Sequence, residues 1–142
     1  YEPIYGSSNL QFEIADYSIE GNKILGNKFY TKLHSLSKST KNEQNLRSIG
    51  LIIKISKDKN ATVKNSAGKI LKYKITLNTD VIVTDFITKD KILNQTFISS
   101  LTYRTQNNYS DTINLENKSI ENLLDKTYQE LIIKLSQNII TK

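Results

Sequence analysis

Between Leu71 and Val83 the odd positions read Leu71, Tyr73, Ile75, Leu77, Thr79, Val81 and Val83, and the even positions Lys72, Lys74, Thr76, Asn78, Asp80 and Ile82. An alternation of period two, held this long, predicts a strand with one dry face and one wet face. The preceding run repeats it, with Ile49, Leu51, Ile53, Ile55, Ala61 and Val63 on one side and Ile52, Lys54, Ser56, Asp58, Asn60 and Thr62 on the other. The pattern predicts strands over Ile49–Val63, Ile70–Phe86 and Ile92–Tyr103, joined by turns at Asn65-Ser66-Ala67-Gly68 and Thr88-Lys89-Asp90-Lys91. Turns this short make the three strands antiparallel neighbours. At about 3.3 Å per residue the first hairpin spans roughly 45 Å, a shape suited to reaching or being inserted.

The remaining elements supply a cover for the dry face. Leu10, Phe12 and Ile14 alternate, then the phase changes to Tyr17 and Ile19, which predicts a strand over Leu10–Ile19 with a bulge or early end. Gly21-Asn22 offers a turn and helix cap before Leu25, Phe29, Leu33 and Leu36, the spacing of one helical face, so the first helix is predicted over Lys23–Ser37. Gly26 within that helix suggests close approach to the sheet. Residues Ser37–Gln44 and Thr105–Leu115 are polar and are predicted as loops. A last helix beginning near Asn117 or Ser119 repeats Ile120, Leu124, Thr127 or Tyr128, Leu131 and Leu135, widened by Leu123 and Ile132. The predicted fold is therefore α+β: a two-layer sandwich in which a four-stranded mixed sheet, mostly a long antiparallel meander, is covered on one face by two helices.

Composition narrows the class. A chain of 142 residues is read as a single domain over 1–142, with Tyr1–Asn9 an extended lead-in around the only proline. Without cysteine there is no disulfide, thiolate metal site or cysteine nucleophile. Basic residues outnumber acidic ones by 20 to 14, giving a net charge of +6, which favours anionic partners. Only Arg47 and Arg104 are arginine, so the charge is diffuse lysine rather than bidentate readout of bases. No apolar run approaches the roughly 20 residues that cross a bilayer.

Catalytic chemistry finds little support. His34 is the only histidine and lacks a nucleophile context. Glu13 and Asp16 sit at a strand end, Asp80 and Asp85 on opposite strand faces, and Glu116, Glu121 and Asp125 suit a helix start. Metal-ligand spacings and glycine-rich phosphate loops are missing. The lysines cluster better: Lys64, Lys69, Lys72 and Lys74 lie at and after the first hairpin turn, with Lys57 and Lys59 approaching it. Lysine at a hairpin end also keeps a sheet edge soluble and unpaired, so the cluster reads either as an anion site or as edge protection.

The opening Tyr1-Glu2-Pro3-Ile4-Tyr5-Gly6 resembles the start of the LptE family, outer-membrane lipoproteins of lipopolysaccharide assembly, whose mature members open with Cys-Gly, an aromatic, a variable residue and Pro-Leu-Tyr. The likeness continues through Ala61-Thr62-Val63-Lys64-Asn65-Ser66-Ala67-Gly68, Lys72-Tyr73-Lys74-Ile75-Thr76-Leu77 and Tyr128-Gln129-Glu130-Leu131-Ile132-Ile133-Lys134-Leu135. This resemblance implies a non-enzymatic subunit on the periplasmic side of the outer membrane, anchored by a lipid on a cysteine upstream of Tyr1. It would plug and help assemble an LptD-type β-barrel and help deliver lipopolysaccharide to the outer leaflet. Two basic positions of the family fall here at Asn65 and Glu116, so the expected lipopolysaccharide-binding residues are the neighbouring Lys64, Lys69 and Lys118. No cofactor, metal or nucleic acid is expected. One rival is a different periplasmic or secretion-system adaptor. Another is an RNA-binding module using Tyr73 and Tyr103, both of which the pattern assigns to the covered face, where such residues are more often core than base platforms.

Overall fold

The computed structural model describes residues 12–39 and 47–140; the predicted lead-in and the Leu10 start of the first strand lie outside them. The order is β1 (Phe12–Gly21), α1 (Lys23–Ser39), β2 (Arg47–Lys64), β3 (Ile70–Asp85), β4 (Lys91–Arg104) and α2 (Tyr109–Ile140). Four strands form one sheet in the order β1-β2-β3-β4, with β1 parallel to β2 and the other pairs antiparallel. Both helices pack on one face, α1 over β1 and β2 and α2 chiefly over β4. The predicted α+β two-layer fold is the observed one.

The core follows the period-two pattern where a helix lies above it. Ile49, Leu51, Ile53 and Ile55 on β2, and Ile75, Leu77, Thr79, Val81 and Val83 on β3, are buried under Leu25, Phe29 and Leu33 of α1 and Leu124, Leu131 and Leu135 of α2. Beyond Ile55 the pattern persists in the sequence but the cover stops: Ser56 to Lys64 is exposed throughout. The reason lies at the start of α1. Asn22 caps the helix by accepting the Leu25 N–H on its side chain, and its own N–H donates to the Ile55 carbonyl, so α1 begins level with Ile55 and runs away from the hairpin tip.

Two glycines make this junction possible. Gly21 has φ +79°, and a Cβ there would stand 2.3 Å from the Ile55 carbonyl oxygen. At Gly26 a Cβ would meet the Ile19 side chain at 2.3 Å, which is the close approach that its place in a helix suggested. The predicted bulge in β1 is also present, between Ile14 and Asp16.

The second helix corrects the sequence reading. Residues 109–115, expected as loop, are helical. Asn108 accepts the Ser110 N–H on its side chain, and its carbonyl accepts the N–H groups of Asp111 and Thr112, so the cap lies about ten residues earlier than the hydrophobic stripe begins. Thr112 adds a hydroxyl that accepts the Gln106 N–H. The first turns are helical because they are capped, and in them Thr112 is buried and Leu115 packs on the core.

At the opposite end Asp85 organises the β3–β4 turn. It accepts the N–H groups of Ile87 and Thr88 at 2.9 Å and the Arg47 Nε at 3.0 Å. The Thr88 N–H above all, then Arg47, holds its carboxyl at about 2 against an ordinary 3.8. A depressed folded-state pKa contributes stability above the ordinary value and loses it as the pH falls through the folded value. Stability is therefore expected to fall as the pH drops from about 4 to about 2, and Asp85→Asn is expected to flatten that part of the profile, read by urea unfolding at each pH.

Candidate functional site

The hairpin between β2 and β3, together with the end of β4 and the start of α2, forms one pole of the molecule. Its turn is built by Asn65, whose side-chain oxygen accepts the N–H groups of Ala67 (2.9 Å) and Lys69 (3.0 Å), while Gly68 takes φ +83° to close it. Asn65 thus serves the turn itself. The β4–α2 connection is clamped to the tip end of the hairpin, with the Thr105 N–H donating to the Leu71 carbonyl and its hydroxyl to that of Ile70. This clamp fixes Arg104 directly opposite Lys72 in the β3–β4 register.

On the open face of the sheet the result is a row of cations. Lys72 and Arg104 are cross-strand neighbours, and Lys74 lies two positions along β3. Lys64 and Lys69 flank the turn just beyond, where the Asn65 N–H donates to the Lys69 carbonyl. Like charges directly opposite each other on a sheet oppose folding. Among the described residues none of these five cations makes a salt bridge: the four ion pairs are Lys28–Glu121, Lys32–Asp125, Arg47–Asp85 and Lys59–Glu116. Such an arrangement can hold a phosphorylated anion, the lysines adapting to its shape and the guanidinium supplying a fixed fork.

The three residues expected from the sequence do not form one group. Lys64 and Lys69 stand together at the tip. Lys118 is exposed on α2, two residues past Glu116, and Glu116 sits on Tyr103, which pairs with Tyr73. That level is roughly 13 Å back from Lys69 along the strand. Lys72, counted in the hairpin lysine cluster though not among those three, and Arg104, outside both, stand closer to the tip. The signal that pairs them is cross-strand register, which period-two patterning alone does not fix.

On the helix-covered face the same pole is tied down by Glu116. It accepts from the Tyr103 hydroxyl and pairs with Lys59 at 2.6 Å, while the Lys59 Nζ also lies 4.4 Å from the Tyr73 ring centre. Tyr73 and Tyr103 stack at 5.8 Å. Burial pushes the Glu116 carboxyl up, but the hydrogen bonds from Lys59 and Tyr103 outweigh it and the net shift is downward. Burial, then the bond to Glu116, raises the Tyr103 phenol well above its ordinary value. The position where a family cation was expected therefore holds a carboxylate that clips β2, β4 and α2 together. Glu116→Ala leaves the Tyr103 hydroxyl without that partner and is expected to cost about 1–3 kcal/mol in urea unfolding.

Other candidates carry less. Between Lys57, the start of α1 and Ile120 lies an open cleft of about 200 Å³, but its Lys28 is committed to Glu121. His34 is exposed and lies beside Tyr30 with ring centres 5.7 Å apart, and no hydroxyl nucleophile is bonded to it among the described residues. No group of three or more potential metal ligands occurs among the described residues, and no described helix is long and apolar enough to cross a membrane.

No family model and no curated protein matches this chain. Solved structures do match. Uncharacterized lipoprotein B from Nitrosomonas europaea aligns with a TM-score of 0.62 at 11% identity, over 96% of this chain and 90% of that one. The minor lipoprotein from Acinetobacter baumannii aligns at 0.59 and 14% identity, over 91% and 94%. Rare lipoprotein B from Shewanella oneidensis aligns at 0.51 and 11% identity, over 89% and 94%. The chain has the fold of these bacterial lipoproteins along nearly its whole length.

Proposed function

We propose that this chain is a non-enzymatic envelope lipoprotein of the LptE type, a plug for an LptD-type outer-membrane β-barrel that handles lipopolysaccharide at its cationic pole. The reading has two supports: a fold shared with bacterial lipoproteins over 89–96% of the chain, and the N-terminal and strand motifs that resemble the LptE family. The observation that carries the ligand class is the unpaired cation row, with Lys72 set against Arg104 on an open sheet face.

The rest of that face suits a wet lumen. Its rows run Ser56, Asn78, Ile98, then Asp58, Thr76, Ser100, then Asn60, Lys74, Thr102, polar residues apart from Ile98 that tolerate water and broad contact. Lipid anchoring belongs to the same proposal, on a cysteine upstream of Tyr1. In operation, the anchored plug would present Lys64, Lys69, Lys72 and Arg104 to the phosphates of a passing lipid, holding it by charge without covalent chemistry. The alternative of a periplasmic adaptor uses the same sheet face for protein.

The direct test is calorimetric titration with lipopolysaccharide and with its dephosphorylated form. The proposal expects binding to the phosphorylated form, weakening with salt, and little to the other. Equal affinity for both would contradict the assignment of the ligand to the cation row and favour the adaptor.

A further inference from the structure

The β4 edge of the sheet lacks the protections an exposed strand usually carries. In a chain that is 24% charged, twelve consecutive residues should hold about three charges, yet Ile92–Tyr103 holds none and no proline. β4 is terminal in the sheet order, and no described residue pairs with its outer side. The other edge, β1, carries Glu13, Asp16 and Glu20. At the midpoint of the bare strand, on the open face, Ile98 is 65% exposed.

We propose that two copies of this chain join through their β4 edges, antiparallel about a two-fold axis at Ile98, to make one continuous eight-stranded sheet. This concerns the chain outside a barrel, whose one-to-one plug would take a single copy, so it goes beyond the plug reading and does not depend on it. In that register Ile98 meets its own copy, Thr96 meets Ser100 and Asn94 meets Thr102, so neutral side chains of similar size share each row. The antiparallel arrangement also sends the two cationic poles to opposite ends, roughly 40 Å apart at the strand rise, several times the Debye length of about 8 Å at physiological salt.

Helix α2 singles out a second copy over an unrelated strand. The Ser99 and Thr127 hydroxyls meet at 3.2 Å, which sets Thr127 above the centre of β4. Glu121 and Asp125 face α1 through Lys28 and Lys32. By helical spacing Lys126 and Glu130 lie on the opposite flank, above the open edge. Neither makes an ion pair within its own chain among the described residues. Across the axis two antiparallel α2 helices would set each Lys126 beside the other copy's Glu130.

The absence of cysteine makes the test clean. Opposed residues in an antiparallel pair have Cα atoms about 4.5–5.5 Å apart, within reach of a disulfide. Ile98→Cys is expected to cross-link under mild oxidation at least about tenfold faster than Ile24→Cys, a control whose native residue is also highly exposed. Sedimentation from about 1 µM to about 1 mM should show a monomer–dimer equilibrium. Ile98→Lys is expected to weaken it by at least about tenfold while circular dichroism stays unchanged; Lys126→Glu should also weaken it, and adding Glu130→Lys should restore it. A chain that stays monomeric over that range, with the two cysteine variants cross-linking equally, overturns self-pairing and leaves the edge to a strand from another protein.

Discussion

Replacing Lys72 and Arg104 together by glutamate is expected to lower affinity for lipopolysaccharide by about 100-fold. Each charge-assisted bond to a phosphate contributes about 1.5–3 kcal/mol, and reversal adds repulsion to the loss, so even partial engagement of both residues reaches that figure. The milder Lys72→Ala separates function from structure. Lys72 faces Arg104 across the strands, and relieving a directly opposed like pair should raise stability by about 0.2–1 kcal/mol while affinity drops roughly tenfold. A residue kept only for solubility would change neither quantity in this opposed way. Urea unfolding and calorimetry on the same preparations read both. Unchanged affinity in the double variant would remove these two residues from the site.

The largest effect on stability is expected at Leu124. Its side chain is fully buried where α2 lies on the sheet, between Ile120 and Leu131 on the same stripe. Leu→Ala at such sites costs about 2–5 kcal/mol, through lost transfer energy plus the cavity left behind. Against a typical total of about 5–15 kcal/mol, that is a large share. Loosening α2 also removes the platform that holds Glu116 on Tyr103 and Lys59, so the cationic pole should become more mobile. Hydrogen exchange is therefore expected to quicken at the end of β4 as well as in α2. Ile133→Ala, on the exposed side of the same helix, should stay within about 0.5 kcal/mol of the parent. Similar losses at both positions would mean that α2 is not seated as described.

The core was legible because period and burial report the same physics. Every residue named for the stripe of α2, from Ile120 to Leu135, is buried or packed on the core, and Leu25, Phe29 and Leu33 of α1 are buried. Patterning misled where it continued without a cover: Ala61 keeps the alternation yet is exposed, since nothing in β2 itself records where α1 begins, and a register shift after Ala61 sets Val63 opposite Lys72. The start of α2 was missed for the converse reason. Its first turns carry no apolar stripe, and the informative residue was the cap Asn108.

The functional pole was half legible. Lys64 and Lys69 could be placed at a tip from the turn residues around them. Lys72 beside Arg104 needed the register of two strands separated by a turn, and a shift of one residue would have put Arg104 on the other face. Glu116 could not be read as a clip because its partners, Lys59 and Tyr103, come from β2 and β4.

The measurement that bears most directly on the proposed role is co-purification of the protein, expressed with its native leader, from detergent-solubilised outer membranes, with mass spectrometry of what accompanies it and of its own N-terminus. The account predicts a large β-barrel at one-to-one stoichiometry and an acylated N-terminal cysteine. Recovery of the protein unacylated, in the soluble fraction and without a barrel, would contradict it.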